Sequence, residues 1–171
     1  MLHTLVAIVE NKPGVLNRVS SLFRRRNFNI ASLTVGETEN PDVSRMTIVV
    51  DTKKTKPHIV TENLYKMVNV IEVRELSDQP SVQRDLVLVK VQTNVSTRPE
   101  VMQFATLYNA KIVDVTHDAL MLEMTGEPNE VDRFTDMIGP FGIIEMVRTG
   151  VVAMARGSTP TGIHSSQYSK N

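Results

Sequence analysis

The sequence contains no cysteine and no tryptophan. Without thiols there is no disulfide framework, thiolate metal site or cysteine nucleophile. That composition suits a reducing compartment, so the cytoplasm is the expected location. Aromatic residues make up only 5% of the chain, which leaves few of the stacking platforms that hold single-stranded nucleic acid or sugars. An excess of one charge is missing too. Nineteen Lys and Arg cancel nineteen Asp and Glu, so no net field concentrates the chain on a nucleic-acid backbone or an anionic membrane. No apolar run approaches the roughly 20 residues that span a bilayer, and the chain enters Leu5-Val6-Ala7-Ile8-Val9 without the basic region and cleavage site of a secretory signal. Neither nucleic acid nor membrane is an expected partner.

The motifs of common enzyme chemistry are absent as well. There is no Gly-x-Ser-x-Gly elbow, Walker loop or dinucleotide fingerprint. His3, His58, His117 and His164 fall on separate elements without metal-ligand spacing, so surface or structural roles are expected for them. No catalytic residue and no metal ligand is therefore assigned to the chain.

What is present is aliphatic periodicity. Residues 4–10 form a β-branched run that stops at Asn11-Lys12-Pro13-Gly14, a tight turn. From Val15 the apolar positions Val15, Val19, Leu22 and Leu16, Phe23 follow helical spacing. Residues 29–38 and 43–51 read as a hairpin, with Met46, Ile48 and Val50 alternating against Arg45, Thr47 and Val49, so that one face is buried. Val60, Leu64, Met67 and Val68 mark a second helix and residues 70–76 a last strand.

The polar stretch 77–81, with Pro80, reads as a linker. The same order then returns: strand 86–91, a helix stripe of Val101, Phe104, Ala105 and Tyr108, hairpin 112–115 with 120–124, a helix carrying Val131, Phe134 and Ile138, and strand 143–147. The expected fold class is α+β, with two ferredoxin-like βαββαβ sandwiches in tandem. The expected domains are 1–78 and 79–157, followed by a tail, 158–171, whose Ser, Thr, Gly and Gln content predicts disorder, or order only against a partner. Edge strands, and the sheet face away from the helices, are left for a partner to cover, so self-association is expected.

Two local features bear on function. Arg24-Arg25-Arg26 falls at a helix end, where cations suit the dipole; contact with an acidic partner subunit is the alternative. The loop 11–16 is the more informative. Gly14 permits close backbone approach at a helix start, and the free amides of residues 14–16 can hold a carboxylate at the positive end of the dipole. Asn11 can accept from an ammonium while donating to a carboxylate. A zwitterionic amino acid would be satisfied at both ends, although a plain β-to-α turn explains the same residues.

The run Asn11-Lys12-Pro13-Gly14-Val15-Leu16, followed by Phe28-Asn29-Ile30-Ala31-Ser32-Leu33-Thr34-Val35-Gly36 and Ser44-Arg45-Met46-Thr47-Ile48-Val49-Val50, resembles the ACT domain of the acetolactate synthase small subunits. The resemblance continues through residues 70–73, 88–91, 110–115 and 148–157, and leaves out only the tail. It implies a homodimeric, non-catalytic regulatory subunit of a thiamine-diphosphate-dependent transferase complex, with ACT domains paired edge to edge. It also implies activation of a large catalytic subunit and feedback inhibition by valine, or by leucine or isoleucine, in branched-chain amino-acid synthesis. Asn11, Gly14, Val15 and Leu16 match the family's effector loop, and Asn29 and Ile30 match the positions that reach over from the partner protomer. Thiamine diphosphate, magnesium and FAD are expected on the large subunit, and no cofactor on this chain.

One rival reading is a freestanding ACT-type sensor that controls transcription or another enzyme, since one ligand geometry serves many outputs. The second half lacks the helix-turn-helix or basic β-ribbon that a transcription factor needs. A small enzyme with a pocket between the domains would need converging titratable groups, which the sequence does not display.

Overall fold

The computed structural model describes residues 2–51, 56–158 and 160. The expectation for the tail falls almost entirely outside these residues. The chain divides into two compact units, residues 1–82 with 151–171, and residues 83–150.

The first unit runs β1 (Leu2–Glu10), α1 (Val15–Arg26), β2 (Asn29–Glu37), β3 (Val43–Asp51), α2 (Pro57–Tyr65) and β4 (Val70–Glu75). Its antiparallel sheet has the order β2-β3-β1-β4, the ferredoxin-like arrangement that the repeated βαββαβ pattern predicts. Alternate strand residues point to one face: Leu5, Ala7 and Val9 of β1 and Met46, Ile48 and Val50 of β3 meet Val15, Val19, Leu22 and Phe23 of α1 and Val60 and Leu64 of α2. Helix α1 ends in a Schellman turn. Asn27 takes the left-handed conformation at φ 55°, the Phe28 amide donates to Phe23 O at 2.9 Å, and the two rings meet edge-on at 5.6 Å. All three arginines of the basic run lie exposed in this last turn, where the dipole favours them.

The second unit repeats the order with β5 (Ser81–Gln92), α3 (Arg98–Leu107), β6 (Lys111–Val115), β7 (Ala119–Gly126), α4 (Pro128–Ile138) and β8 (Ile143–Arg148). Its sheet order is β6-β7-β5-β8. Val87, Val89 and Val91 of β5 and Leu120, Leu122 and Met124 of β7 pack on Val101, Ala105, Val131, Phe134 and Ile138 of the helices. A capping box between Glu127 and Glu130 starts α4. At the sheet's end the Arg148 guanidinium donates to buried Asp85 through Nε and Nη2 and to Asp132 through Nη1.

Two features go beyond the expectations. By contacts, the residues after Gly150 pack with the first unit. Strand β5 begins at Ser81, inside the expected linker, and a further short strand, β9 (Val152–Ala155), returns to the first unit. Within that unit the Arg156 amide donates to Pro80 O at 2.9 Å. The second feature concerns β3, which is buried on both faces, Thr47 and Val49 included. The returning segment explains this. Ala153 completes a second cluster with Val6, Ile8, Val43 and Leu76 on the sheet face opposite the helices. Arg45 Nη2 donates to Ala153 O at 2.6 Å, and the Val151 amide donates to Ser32 Oγ at 3.0 Å. Burial pushes the Arg45 guanidinium below its usual value against the raising effect of Glu72, which is consistent with a cation enclosed beneath a strand. The first unit thus supplies cover for its own outer sheet face.

Candidate effector site

Strand β1 delivers the chain to the loop 11–14, and α1 carries it away. Gly14 is the residue before the helix, with φ 84° and no side-chain cap, a backbone state in which glycine alone is unstrained. No atom lies within 4 Å of where a Cβ would stand, so the requirement at this position is conformational and does not come from crowding. Of the three amides expected to be free, that of Val15 donates to Lys12 O at 3.3 Å. Among the described residues the amides of Gly14 and Leu16 have no hydrogen-bond partner, as is common for donors at a helix start. Val15 is buried in the core, whereas Leu16 is 43% exposed. Leu16 therefore does not belong to the core stripe; it offers an apolar surface beside the free amides.

Asn11 is anchored rather than idle. Its backbone amide donates to Asp42 O at 2.7 Å, and its side-chain Nδ2 donates to Pro41 O at 2.8 Å and to Glu37 Oε1 at 3.2 Å. Both amide hydrogens are thereby engaged, and Oδ1 is the atom left to accept, which selects the ammonium half of the dual role expected for this side chain. Around the loop, Lys12 Nζ pairs with Glu10 Oε1 at 3.0 Å, Asn69 Nδ2 donates to Glu10 Oε2 at 2.6 Å, and Arg18 Nη1 donates to Asn69 Oδ1 at 2.8 Å. These bonds tie the end of β1, the first turn of α1 and the start of β4 together, so the amides and Asn11 Oδ1 are held in fixed relation.

Asn29 and Ile30 are at the other end of the sheet. Asn29 is in register with Asp51 and Asp51 with Leu2, while Glu10 is in register with Val43. The nine residues of β3 separate the two groups, a span of about 27 Å at ~3.4 Å per residue. One protomer does not bring the two halves of the expected site together. Both halves are nevertheless on accessible surface: Asn29 is exposed, and the strand that carries it, β2, is the outermost strand of its sheet. The role of Glu37 in holding Asn11 was not legible in the sequence, because 26 residues separate the two and only the β2–β3 hairpin brings them together. Among the described residues no group of three His, Cys, Asp or Glu side chains forms a metal-binding cluster, and no helix is long and apolar enough to cross a membrane.

Comparison with known proteins assigns the fold to a family. Residues 5–72 match the model of the acetohydroxyacid synthase (AHAS) small subunit-like ACT domain, and residues 84–157 match that of the small subunit of acetolactate synthase. The chain belongs to the acetolactate synthase small-subunit family. Within that family it is 46% identical over 161 residues to the acetolactate synthase small subunit of Mycolicibacterium smegmatis, covering 94% of each chain. It is also 46% identical over 158 residues to a probable acetolactate synthase small subunit of Archaeoglobus fulgidus, covering 92% of this chain and 99% of the relative. The crystal structure of the acetolactate synthase small subunit from Thermotoga maritima superposes with a TM-score of 0.84 at 34% identity, over 93% of this chain and 99% of that one. The first unit is accordingly an ACT domain, and membership of a small-subunit family implies a catalytic large subunit as partner.

Proposed function

We propose that the chain is the non-catalytic regulatory subunit of a cytoplasmic acetolactate synthase. In this reading it activates the large subunit and confers feedback inhibition by valine or another branched-chain amino acid. Thiamine diphosphate, magnesium and FAD belong to the large subunit, and this chain contributes the effector site. The observation that carries the reading is the separation of Asn29 from the loop 11–16 along a sheet in which β2 is the outermost strand. An antiparallel pairing of β2 with β2 of a second copy, with its twofold near Leu33 at the strand's midpoint, sets the second copy's Asn29 opposite Glu37, which holds Asn11. The effector carboxylate then meets the amides of Gly14 and Leu16, its ammonium meets Asn11 Oδ1, and its branched side chain lies between Leu16 and the second copy's Ile30.

A site built this way has a testable genetic signature. Gly14→Asp and Asn29→Ala are each expected to weaken valine binding by at least about tenfold in a pure dimer. In a mixed dimer with one substitution on each protomer, one of the two sites keeps a native loop and a native Asn29. Calorimetry on purified mixed dimers is expected to recover about half of the wild-type stoichiometry at near wild-type affinity. No recovery would contradict a site shared between protomers.

A further inference from the structure

A groove of about 670 Å³ opens on the second unit, walled by Pro99, Met102, Gln103 and Thr106 of α3, by Val95 in the turn before it, and by Arg98 and His117. It is remote in sequence from the effector loop and takes no part in the site described above. Three of its properties specify an occupant. The first is its apolar lining. Val95 is 91% exposed and Met102 44% exposed, large aliphatic surface that a folded chain keeps in water only at a cost and that commonly marks a contact. The second is charge. Arg98 Nη2 donates to the carbonyl oxygens of Thr116 and His117 at 2.7 and 2.6 Å and to Thr93 Oγ1 at 3.3 Å. Those acceptors fix the guanidinium but carry no formal charge. Among the described residues Arg98 makes no ion pair, its Nε is buried without a partner, and Glu100 of the same helical turn does not line the groove. A guanidinium without an ion-pair partner among the described residues therefore stands at the end of an apolar trough. The third is size and openness. The volume lies within the range of built ligand sites but exceeds what one branched-chain amino acid fills, and Val95 in its wall is 91% exposed, as suits a protruding polypeptide.

We propose that this groove is the docking site for a segment of the catalytic large subunit that presents an acidic side chain beside apolar ones. The carboxylate would meet Arg98, and the apolar residues would cover Met102, Pro99 and Val95. A fixed arginine flanked by apolar surface has the composition of an interface hot spot, and the charge pair would also speed encounter in a salt-dependent way. The proposal rests on the regulatory-subunit reading.

The test is titration of the cognate large subunit with full-length wild-type chain and with Val95→Asp and Met102→Glu, each of which places a carboxylate where the acidic segment must lie. Val95 is nearly fully exposed, so its replacement leaves the core untouched and keeps the test meaningful if Met102→Glu folds poorly. Both variants are expected to bind the large subunit at least tenfold more weakly while valine binding and self-association stay at wild-type values. Wild-type affinity in Val95→Asp would overturn the proposal. A loss of self-association with unchanged large-subunit affinity would assign the groove to a second copy and overturn it as well. If the wild-type chain itself fails to bind any large subunit, the regulatory-subunit reading fails, and the groove proposal with it.

Discussion

Gly14→Asp is expected to yield an enzyme complex that remains active and ignores valine. The new carboxylate would stand at the start of α1, beside the amides of Gly14 and Leu16, where it competes for the donors proposed to hold the effector carboxylate and repels that carboxylate directly. Loss of one charge-assisted hydrogen bond at ~1.5–3 kcal/mol lowers affinity by about tenfold to somewhat over a hundredfold, and loss of two by as much as about ten-thousandfold. Folding should tolerate the change. The space around the position is empty, the core residues Val15, Val19 and Leu22 are untouched, and the left-handed conformation costs a non-glycine residue only ~1–2 kcal/mol, less for Asp. A helix start also accepts Asp well. Valine titration of the isolated variant by calorimetry, together with its thermal midpoint, checks the two halves of the argument separately. Valine affinity at the wild-type level would remove the carboxylate site from the account.

The second large effect concerns the chain's return to the first unit. A chain ending at Pro80 has every element of the ACT sandwich yet lacks β9, and so exposes Val6, Ile8, Val43 and Leu76, which Ala153 helps to cover. It also leaves Arg45, Ser32 and the Pro80 carbonyl without the bonds they make to Ala153, Val151 and Arg156. Baring even two such aliphatic side chains costs about 3–6 kcal/mol, which is comparable with the whole stability of a small domain. The truncated chain is expected to aggregate or to melt without a cooperative transition. A chain that keeps residues 1–82 and 151–160, joined by a short Gly-Ser loop in place of residues 83–150, should fold, self-associate and bind valine. A cooperative, valine-binding 1–80 fragment would show that β9 is dispensable.

That contrast marks where the sequence was legible. The two βαββαβ units were readable because each strand and helix carries several aliphatic residues at its own period, as in Leu5, Ala7 and Val9 against Val15, Val19 and Leu22. The positive φ of Gly14 follows from the turn it occupies. Strand β9 was not legible as a strand. It has four residues, and its inward positions, Ala153 and Ala155, are too small to stand out in a hydrophobic pattern. The double burial of β3 was hidden for the same reason, because it depends on a segment about a hundred residues away. Leu16 looked like a core residue by spacing, but the helix turns it to the surface beside the loop. The engagement of Asn11 by Glu37 and Pro41, and of Arg98 by the Thr116 and His117 carbonyls, depends on tertiary proximity that no local pattern encodes.

The central claim, that this chain makes a catalytic partner responsive to a branched-chain amino acid, is tested most directly by one assay. Acetolactate formation by the cognate large subunit is measured alone, with the wild-type chain, and with the wild-type chain under a valine, leucine or isoleucine titration. The account predicts that the chain raises the rate and that at least one of the three amino acids then lowers it in a saturable way, with no such response from the large subunit alone. A rate unchanged by the chain, and unaffected by all three amino acids in its presence, would contradict the account.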